Sequence, residues 1–133
     1  MCHRILLSLL FCSSLIAGSD DIRPNQLGYY AQSVKRFVVV DSGSMEFVVK
    51  DAQGRTVRYQ GSLIDAGTWA GSGERVKTGD FSRFSEPGQY VISVADKGDS
   101  HPFRISAQVY DDVLIAAVKT YYYQRASMAL DEK

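Results

Sequence analysis

Short apolar runs separated by turn-forming residues dominate the sequence between residues 22 and 105. In one of these runs Tyr90, Ile92 and Val94 alternate with their neighbours. A period of two residues is typical of β-strands, because successive side chains point to opposite faces of a sheet. We count about seven such runs, at a spacing typical of an immunoglobulin-like sandwich. The sequence therefore predicts an all-β fold, an immunoglobulin-like β-sandwich, for residues 20–106.

Two of the apolar runs flank a loop that contains a glycine. They cover residues 47–49 and 56–59, and this arrangement predicts a β-hairpin. In the second run Val57 and Tyr59 alternate with polar residues, so we expect both side chains to face the core. By contrast, residues 65–77 contain three glycines and are predicted to be loosely structured.

The first 19 residues have the features of an export signal. A basic lead ends at Arg4, residues 5–16 are mostly apolar, and residues 17–19 are small. The apolar run is too short to cross a hydrocarbon layer of about 30 Å as a helix. We expect residues 1–19 to be a signal peptide, so that the mature protein is secreted or periplasmic and has no membrane contact after cleavage.

Other interpretations of this leader remain open. It could be a membrane anchor or a buried strand, or Cys12 could carry a lipid anchor at the cell surface. Both cysteines of the chain, Cys2 and Cys12, lie within the leader. A mature chain without them has no disulfide, although an oxidising compartment would permit one.

Charge and residue types exclude several functional classes. The 15 basic residues balance the 15 acidic ones without a cluster of either sign, which argues against a nucleic-acid partner. His101 is the only histidine after the leader and no cysteine accompanies it, so a Cys/His zinc site is excluded. We expect neither a metal nor a cofactor. The alternative is a calcium ion shared by Asp96 and Asp99.

After residue 106 the apolar period changes to three or four residues, which predicts a helix. The repeating positions are Leu114, Ala117, Val118, Tyr121, Arg125 and Met128. An amphipathic helix needs a surface that covers its apolar side. We therefore interpret residues 107–133 as the first helix of a second domain outside this sequence. The predicted interface with that domain consists of Leu114, Val118, Tyr121 and Tyr122. The alternative is a terminal helix folded back on the sandwich.

Several motifs are shared with a known family. Residues 22–29, which read IRPNQLGY, resemble the opening of the N-terminal immunoglobulin-like domain of family 9 glycoside hydrolases, the cellulase family. Residues 51–61 resemble its first hairpin, and residues 80–90 contain similar DFS and EPGQY motifs. Residues 116–125, AAVKTYYYQR, resemble the first helix of its catalytic domain. The family usually carries an apolar residue at the position of Pro24. Because proline lacks a backbone donor, Pro24 predicts that the first strand is an edge strand.

The resemblance implies an inverting glycosidase whose catalytic domain is an (α/α)₆ barrel. In that family an aspartate base and a glutamate acid flank the scissile bond, and both lie beyond the first helix. We therefore expect no catalytic residue in this chain. It is interpreted as the N-terminal structural module of an exported cellulase-type enzyme, which would bind β-glucan only through the missing catalytic domain. The alternatives are a stand-alone carbohydrate-binding module and an immunoglobulin-type interaction domain.

Trp69, the single tryptophan, is the one weak candidate for substrate binding. A tryptophan in a glycine-rich loop can stack on a sugar ring. Alternatively, it can fill one end of the sandwich or pack against a second domain, since burial of a large aromatic side chain contributes about 1.5–3 kcal/mol. The sequence alone favours such packing.

Overall fold

The computed structural model describes residues 18–124, which form eight strands and one helix. In chain order these elements are β1 (Ile22–Arg23), β2 (Arg36–Val40), β3 (Glu46–Asp51), β4 (Val57–Thr68), β5 (Arg75–Asp80), β6 (Gly88–Val94), β7 (Gly98–Asp99), β8 (Phe103–Ile105) and α1 (Asp111–Tyr123). The predicted all-β immunoglobulin-like fold followed by a helix is confirmed.

The strands form two antiparallel layers that share one long strand. The first layer has the order β1-β2-β5-β4, and the second has the order β4-β3-β6, with β7 and β8 both paired to β6. The first half of β4 pairs with β3 up to Ser62, and the second half pairs with β5 from Leu63 onward. A strand that passes from one sheet to the other forms a corner of the sandwich. The position of β1 at an edge agrees with the prediction made from Pro24.

Aromatic rings fill the space between the two layers. Phe37 on β2 and Phe47 on β3 meet edge to face, with ring centroids 4.8 Å apart. A β-carbon on Gly79 would lie 2.2 Å from the Phe37 ring, and one on Gly61 would lie 2.7 Å from the Phe47 ring. Both glycines therefore provide the space that each ring needs against the neighbouring strand.

The structure corrects two expectations for β4 and β5. Residues 65–77 are not loose, because β4 extends to Thr68 and β5 begins at Arg75. The two strands form a hairpin whose outer face is largely exposed. The predicted inward orientation of Val57 is also wrong, since its side chain is exposed, and Tyr59 is only partly buried. Alternation along this strand indicated its conformation correctly but not the depth of its burial.

Two parts of the chain, residues 1–17 and 125–133, lie outside the described residues. The predictions for most of the leader, for Cys2 and Cys12, and for the helical positions Arg125 and Met128 fall there. No helix among the described residues has the length and hydropathy needed to cross a lipid bilayer.

Replacing Gly79 with alanine should destabilise the sandwich. The new methyl group would overlap the buried Phe37 ring, and overpacking of this kind costs about 1–3 kcal/mol. Gly43→Ala is the matched control, because its β-carbon would meet only the Asp96 carboxylate, at 3.7 Å. Chemical denaturation of both variants measures the effect. Equal unfolding free energies for the two variants would contradict this account of the core.

Candidate functional site

The N-Q-x-G-Y motif forms a compact loop between β1 and β2. The Asn25 carbonyl accepts the Gly28 N–H at 3.0 Å, and the Asn25 side-chain oxygen accepts the Leu27 N–H at 3.1 Å. The Tyr29 hydroxyl accepts the Asn25 N–H at 2.9 Å and donates to the Arg36 carbonyl at 2.6 Å. Burial raises the pKa of the Tyr29 phenol. The motif thus closes its own loop and joins it to β2.

Gly28 lets the end of the sandwich approach this loop closely. Its φ of +107° lies in a region that side chains rarely adopt, and a β-carbon there would be 2.2 Å from the Arg104 carbonyl oxygen and 2.6 Å from Val109. On the next residue, the Tyr29 N–H donates to Arg104 and its carbonyl accepts the Ser106 N–H. The loop is therefore bonded to the segment that leads from β8 into helix α1.

Tyr110, the residue before the helix, is anchored to the same loop. Its hydroxyl donates to the Gly28 carbonyl at 2.7 Å and accepts an N–H of the Asn25 side chain at 2.8 Å. Its ring meets Tyr30 edge to face at 5.0 Å, and the adjacent Val109 is buried. These contacts fix the point from which helix α1 leaves the sandwich.

Helix α1 is exposed over its whole described length. Three of the four predicted interface residues, Leu114, Val118 and Tyr121, are 64%, 60% and 77% exposed, and Tyr122 is 41% exposed. The alternative of a helix folded back on the sandwich is therefore wrong for the described residues. The large apolar side chains of the helix are exposed.

The loop between β1 and β2 carries further exposed apolar side chains. They are Leu27, Tyr30 and Val34, and Tyr30 lies directly against Tyr110. The loop and the helix therefore expose apolar surface at the same end of the sandwich. Exposed apolar surface of this extent is typical of a region that contacts another protein or domain.

The D-F-S motif at the end of β5 holds a buried lysine. The Lys35 ammonium donates to the carbonyls of Ala31, Ser33 and Ser82 at 2.7, 2.9 and 3.3 Å. Its side chain is fully buried, and this burial lowers the pKa of the ammonium while the charge of Asp80 opposes that shift. Three carbonyls satisfy all three donors of the ammonium. Lys35 thus joins the loop before β2 to the end of β5.

Asp80 and Ser82 complete this junction. The Asp80 carboxylate accepts hydrogen bonds from the Ser82 backbone N–H at 2.9 Å and from the Arg36 side chain at 3.0 Å. The Ser82 hydroxyl oxygen accepts the backbone N–H of Lys35 at 2.9 Å. Hydrogen bonds from Ser82, followed by the bond from Arg36, lower the pKa of Asp80 to about 2. The Phe81 ring between them is fully buried. The motif therefore has a structural explanation and no visible catalytic one.

Trp69 begins the turn between β4 and β5 and is 67% exposed. Its N–H donates to the Glu74 carbonyl and its carbonyl accepts the Gly73 N–H, both at 2.8 Å. Gly73 has a φ of +74°, which closes the turn. Of the two packing interpretations, the one in which Trp69 fills an end of the sandwich is therefore wrong, and packing against a second domain stays a prediction.

Beside Trp69 lies a groove of about 440 Å³ on the outer face of the first layer. Arg23 and Glu74 border it and form a two-bond ion pair at 3.0 and 2.9 Å. The Ser72 hydroxyl donates to Glu74 at 2.9 Å, and Arg23 is a further donor to the Asp20 carbonyl. The groove thus combines an aromatic wall with oriented polar groups.

The proposed calcium ligands have separate partners. Burial acts to raise the pKa of Asp96, but hydrogen bonds from the Gly43 N–H and the Ser42 hydroxyl outweigh it and hold the pKa at about 2. Asp99 instead accepts from the Lys50 ammonium at 3.3 Å. Within residues 18–124 no three histidine, cysteine, aspartate or glutamate side chains are grouped as metal ligands.

Three residues of these sites were not identified from the sequence: Lys35, Tyr110 and Arg23. Lys35 gave no signal, since a lysine before a strand normally lies in water. Tyr110 immediately precedes the acidic first turn of the helix. This position is the one sequence feature that could have identified it as the residue from which the helix starts. Tyr110 and Arg23 each bond to a residue that is distant in sequence. Two of the three carbonyls that hold Lys35 lie only two and four residues away, and the third is that of Ser82.

The sequence from residue 17 to residue 99 matches the family described as the cellulase N-terminal ig-like domain. The chain belongs to this family.

Relatives with named activities are all much longer than this chain. The chain is 38% identical over 122 residues to a xyloglucan-specific endo-β-1,4-glucanase of Bacteroides ovatus, covering 91% of this chain and 20% of that protein. It is 35% identical over 109 residues to a cellodextrinase of Butyrivibrio fibrisolvens, covering 82% and 19%. A metagenome-derived family 9 endoglucanase structure superimposes with a TM-score of 0.66 at 31% identity, covering 84% of this chain and 22% of that one. The chain thus spans about one fifth of the length of these relatives.

The low pKa of Asp80 predicts a specific loss of stability in acid. Because the folded-state pKa of about 2 lies below the ordinary value of 3.8, the carboxylate stabilises the fold above about pH 4 and loses this effect as the pH falls towards 2. Asp80→Asn should therefore lower stability at neutral pH and make the decline between pH 4 and 2 shallower. Denaturation at a series of pH values measures both slopes, and identical slopes would contradict the prediction.

Proposed function

We propose that this chain is the N-terminal structural module of an exported cellulase-type glycoside hydrolase, and that it holds the first helix of the catalytic domain in place. The observation that carries the proposal is the anchoring of Tyr110 on a rigid loop directly before a fully exposed helix. A short helix is marginal in water unless its apolar side packs against something. The second domain would supply that surface, with Leu114, Val118, Tyr121 and Tyr122 at the interface.

The relatives support the class of reaction. Their names refer to hydrolysis of β-1,4-linked glucans or their oligosaccharides. The full-length protein would then hydrolyse a β-1,4-glucan, and the catalytic domain would be both the partner of this chain and the holder of the substrate. In this division residues 20–106 are the sandwich and residues 107–133 belong to the catalytic domain.

The carboxyl groups of the described residues suit structural roles. Seven of them have a cationic or histidine partner: Asp20, Asp21, Asp65, Glu74, Asp80, Glu86 and Asp99. The pKa is lowered for Asp51, Asp65, Glu74, Asp80 and Asp96. A glycosidase acid needs the opposite, a raised pKa that keeps its proton near neutral pH. We therefore assign the chemistry to the catalytic domain.

The interface can be tested by hydrogen exchange. In the 133-residue chain the amides of residues 114–123 should exchange rapidly, because no residue of the described helix is buried. A chimera in which this chain replaces the matching region of the Bacteroides ovatus endoglucanase should protect the same amides strongly. Only the chimera should release reducing sugar from xyloglucan.

Tyr110→Phe in the chimera tests the anchor. Loss of its two hydrogen bonds should lower the melting temperature, at about 0.5–1.5 kcal/mol for each bond. Tyr59→Phe on β4, outside the helix, is the control for loss of a phenol, because the ring keeps its contacts with Phe47 and Phe84. Strong protection of residues 114–123 in the isolated chain would contradict the proposal, since the helix would then need no second domain.

Export makes a separate prediction. The leader has a basic start, an apolar centre and small residues at 17–19, so we propose that it directs secretion and is cleaved near Ser19. Expression with the native leader should give an extracellular or periplasmic protein that begins near Asp20, as measured by intact mass. A soluble cytoplasmic protein that retains Met1 would contradict export, and a lipid on Cys12 would indicate surface attachment instead.

A further inference from the structure

The backbone at the exposed Trp69 is held in place by the turn. Two backbone hydrogen bonds close its turn, and both flanking strands pair with each other up to Thr68 and Arg75. Gly71 lies beside the indole, because a β-carbon there would be 3.3 Å from the indole nitrogen. A rigidly presented aromatic face loses little conformational entropy on binding a ligand. The indole is therefore accessible to a ligand from outside the described fold.

The groove next to the indole has the chemical character of a sugar site. Its floor is apolar and includes Val38, Ala66 and Val76, which suits the C–H faces of pyranose rings. Arg23, Glu74 and Ser72 stand at its border in one hydrogen-bonded set. The ion pair has no net charge and still offers unused donors and lone pairs. This combination matches a neutral polyhydroxylated ligand better than an ionic one.

The groove lies away from the end of the sandwich that carries the helix. Tyr29 bonds to Arg36, which pairs with Asp80 at the far end of β5. The Trp69 turn precedes Arg75 at the opposite end of that strand, and six residues of β5 span roughly 15–20 Å. The groove and the helix therefore lie towards opposite ends of β5.

We propose that the Trp69 groove binds a segment of a β-1,4-glucan chain. The indole stacks on one glucose ring, and Arg23, Glu74 and Ser72 hydrogen-bond to hydroxyls of the adjoining ring. The class of ligand rests on the proposed function, whereas the position of the site rests on the groove itself. The module would then hold the polymer as well as brace the catalytic domain.

Titration of the 133-residue chain with cellohexaose tests this site directly. Trp69 is the only tryptophan, so its fluorescence should change and saturate, and calorimetry should give the same affinity. Trp69→Ala should weaken the affinity measured by calorimetry by about tenfold, as expected for loss of one stacking contact. Trp69→Phe should retain part of it. Maltohexaose, with its α-linkages, should bind more weakly than cellohexaose.

Two further variants separate the groove from the helix. Gly71→Leu keeps the indole but places a side chain beside it, so the affinity for cellohexaose should fall. Gly71 has an ordinary φ, so we expect the leucine variant to retain the fold. Tyr121→Ala on the exposed helix should leave affinity unchanged. Absence of saturable cellohexaose binding, or equal binding by Trp69→Ala, would overturn the proposal.

The chimera distinguishes this proposal from the one before it. Acrylamide should quench the Trp69 fluorescence equally in the isolated chain and in the chimera. In the chimera the Trp69 signal is the difference between the spectra of the unchanged chimera and its Trp69→Phe variant. Quenching lost in the chimera would show that the second domain covers the groove and would overturn the glucan site while leaving the bracing function intact. Helix amides that are protected in the chimera, together with no cellohexaose binding by the isolated chain, would likewise overturn the glucan site and leave the bracing function intact.

Discussion

The Tyr29 side chain connects the loop that anchors the helix to strand β2 and to the aromatic core. Its hydroxyl joins the Asn25 loop to β2, and its ring packs edge to face on Phe81 and Phe103 at 5.2 and 5.6 Å. Loss of this hydroxyl would leave the Asn25 N–H and the Arg36 carbonyl without this partner, and an unsatisfied polar group of this kind costs about 1–3 kcal/mol. The loop that anchors Tyr110 therefore derives its rigidity from the core. The orientation of helix α1 depends on that core in turn.

Sequence patterns predicted the strands well where one face of each strand is buried. β2, β3 and β6 carry apolar residues that face the core. In β6 the predicted period of two was correct, because Tyr90, Ile92 and Val94 all lie in the core. The prediction failed in the second half of β4, where Asp65, Gly67 and Thr68 pair with β5 but stay exposed. Backbone pairing stabilises that hairpin, and no hydrophobic pattern records it. Val57 is similar, because it pairs with Lys50 of β3 through its backbone while its side chain stays exposed.

The sites were harder to predict than the strands. Apolar spacing was enough to identify the exposed helix, because the signal lies within a few turns of one element. The anchor and the groove depend on contacts such as those of Tyr110 with Asn25 and of Arg23 with Glu74, which join residues 85 and 51 positions apart. A single sequence does not encode such pairs visibly. Lys35 is a different case, because two of its three carbonyl partners lie two and four residues away. Only the folded loop, together with the Ser82 carbonyl, explains a buried cation there.

The passage of β4 through both layers has a consequence for how the sandwich comes apart. Separate sheets can in principle slide or detach, leaving one layer intact. Here a single covalent strand supplies hydrogen bonds to β3 with one half and to β5 with the other. Disorder that begins in either layer therefore removes part of the neighbouring layer as well. We therefore expect the two layers to unfold together as one cooperative unit, so that the Tyr110 anchor is lost with them.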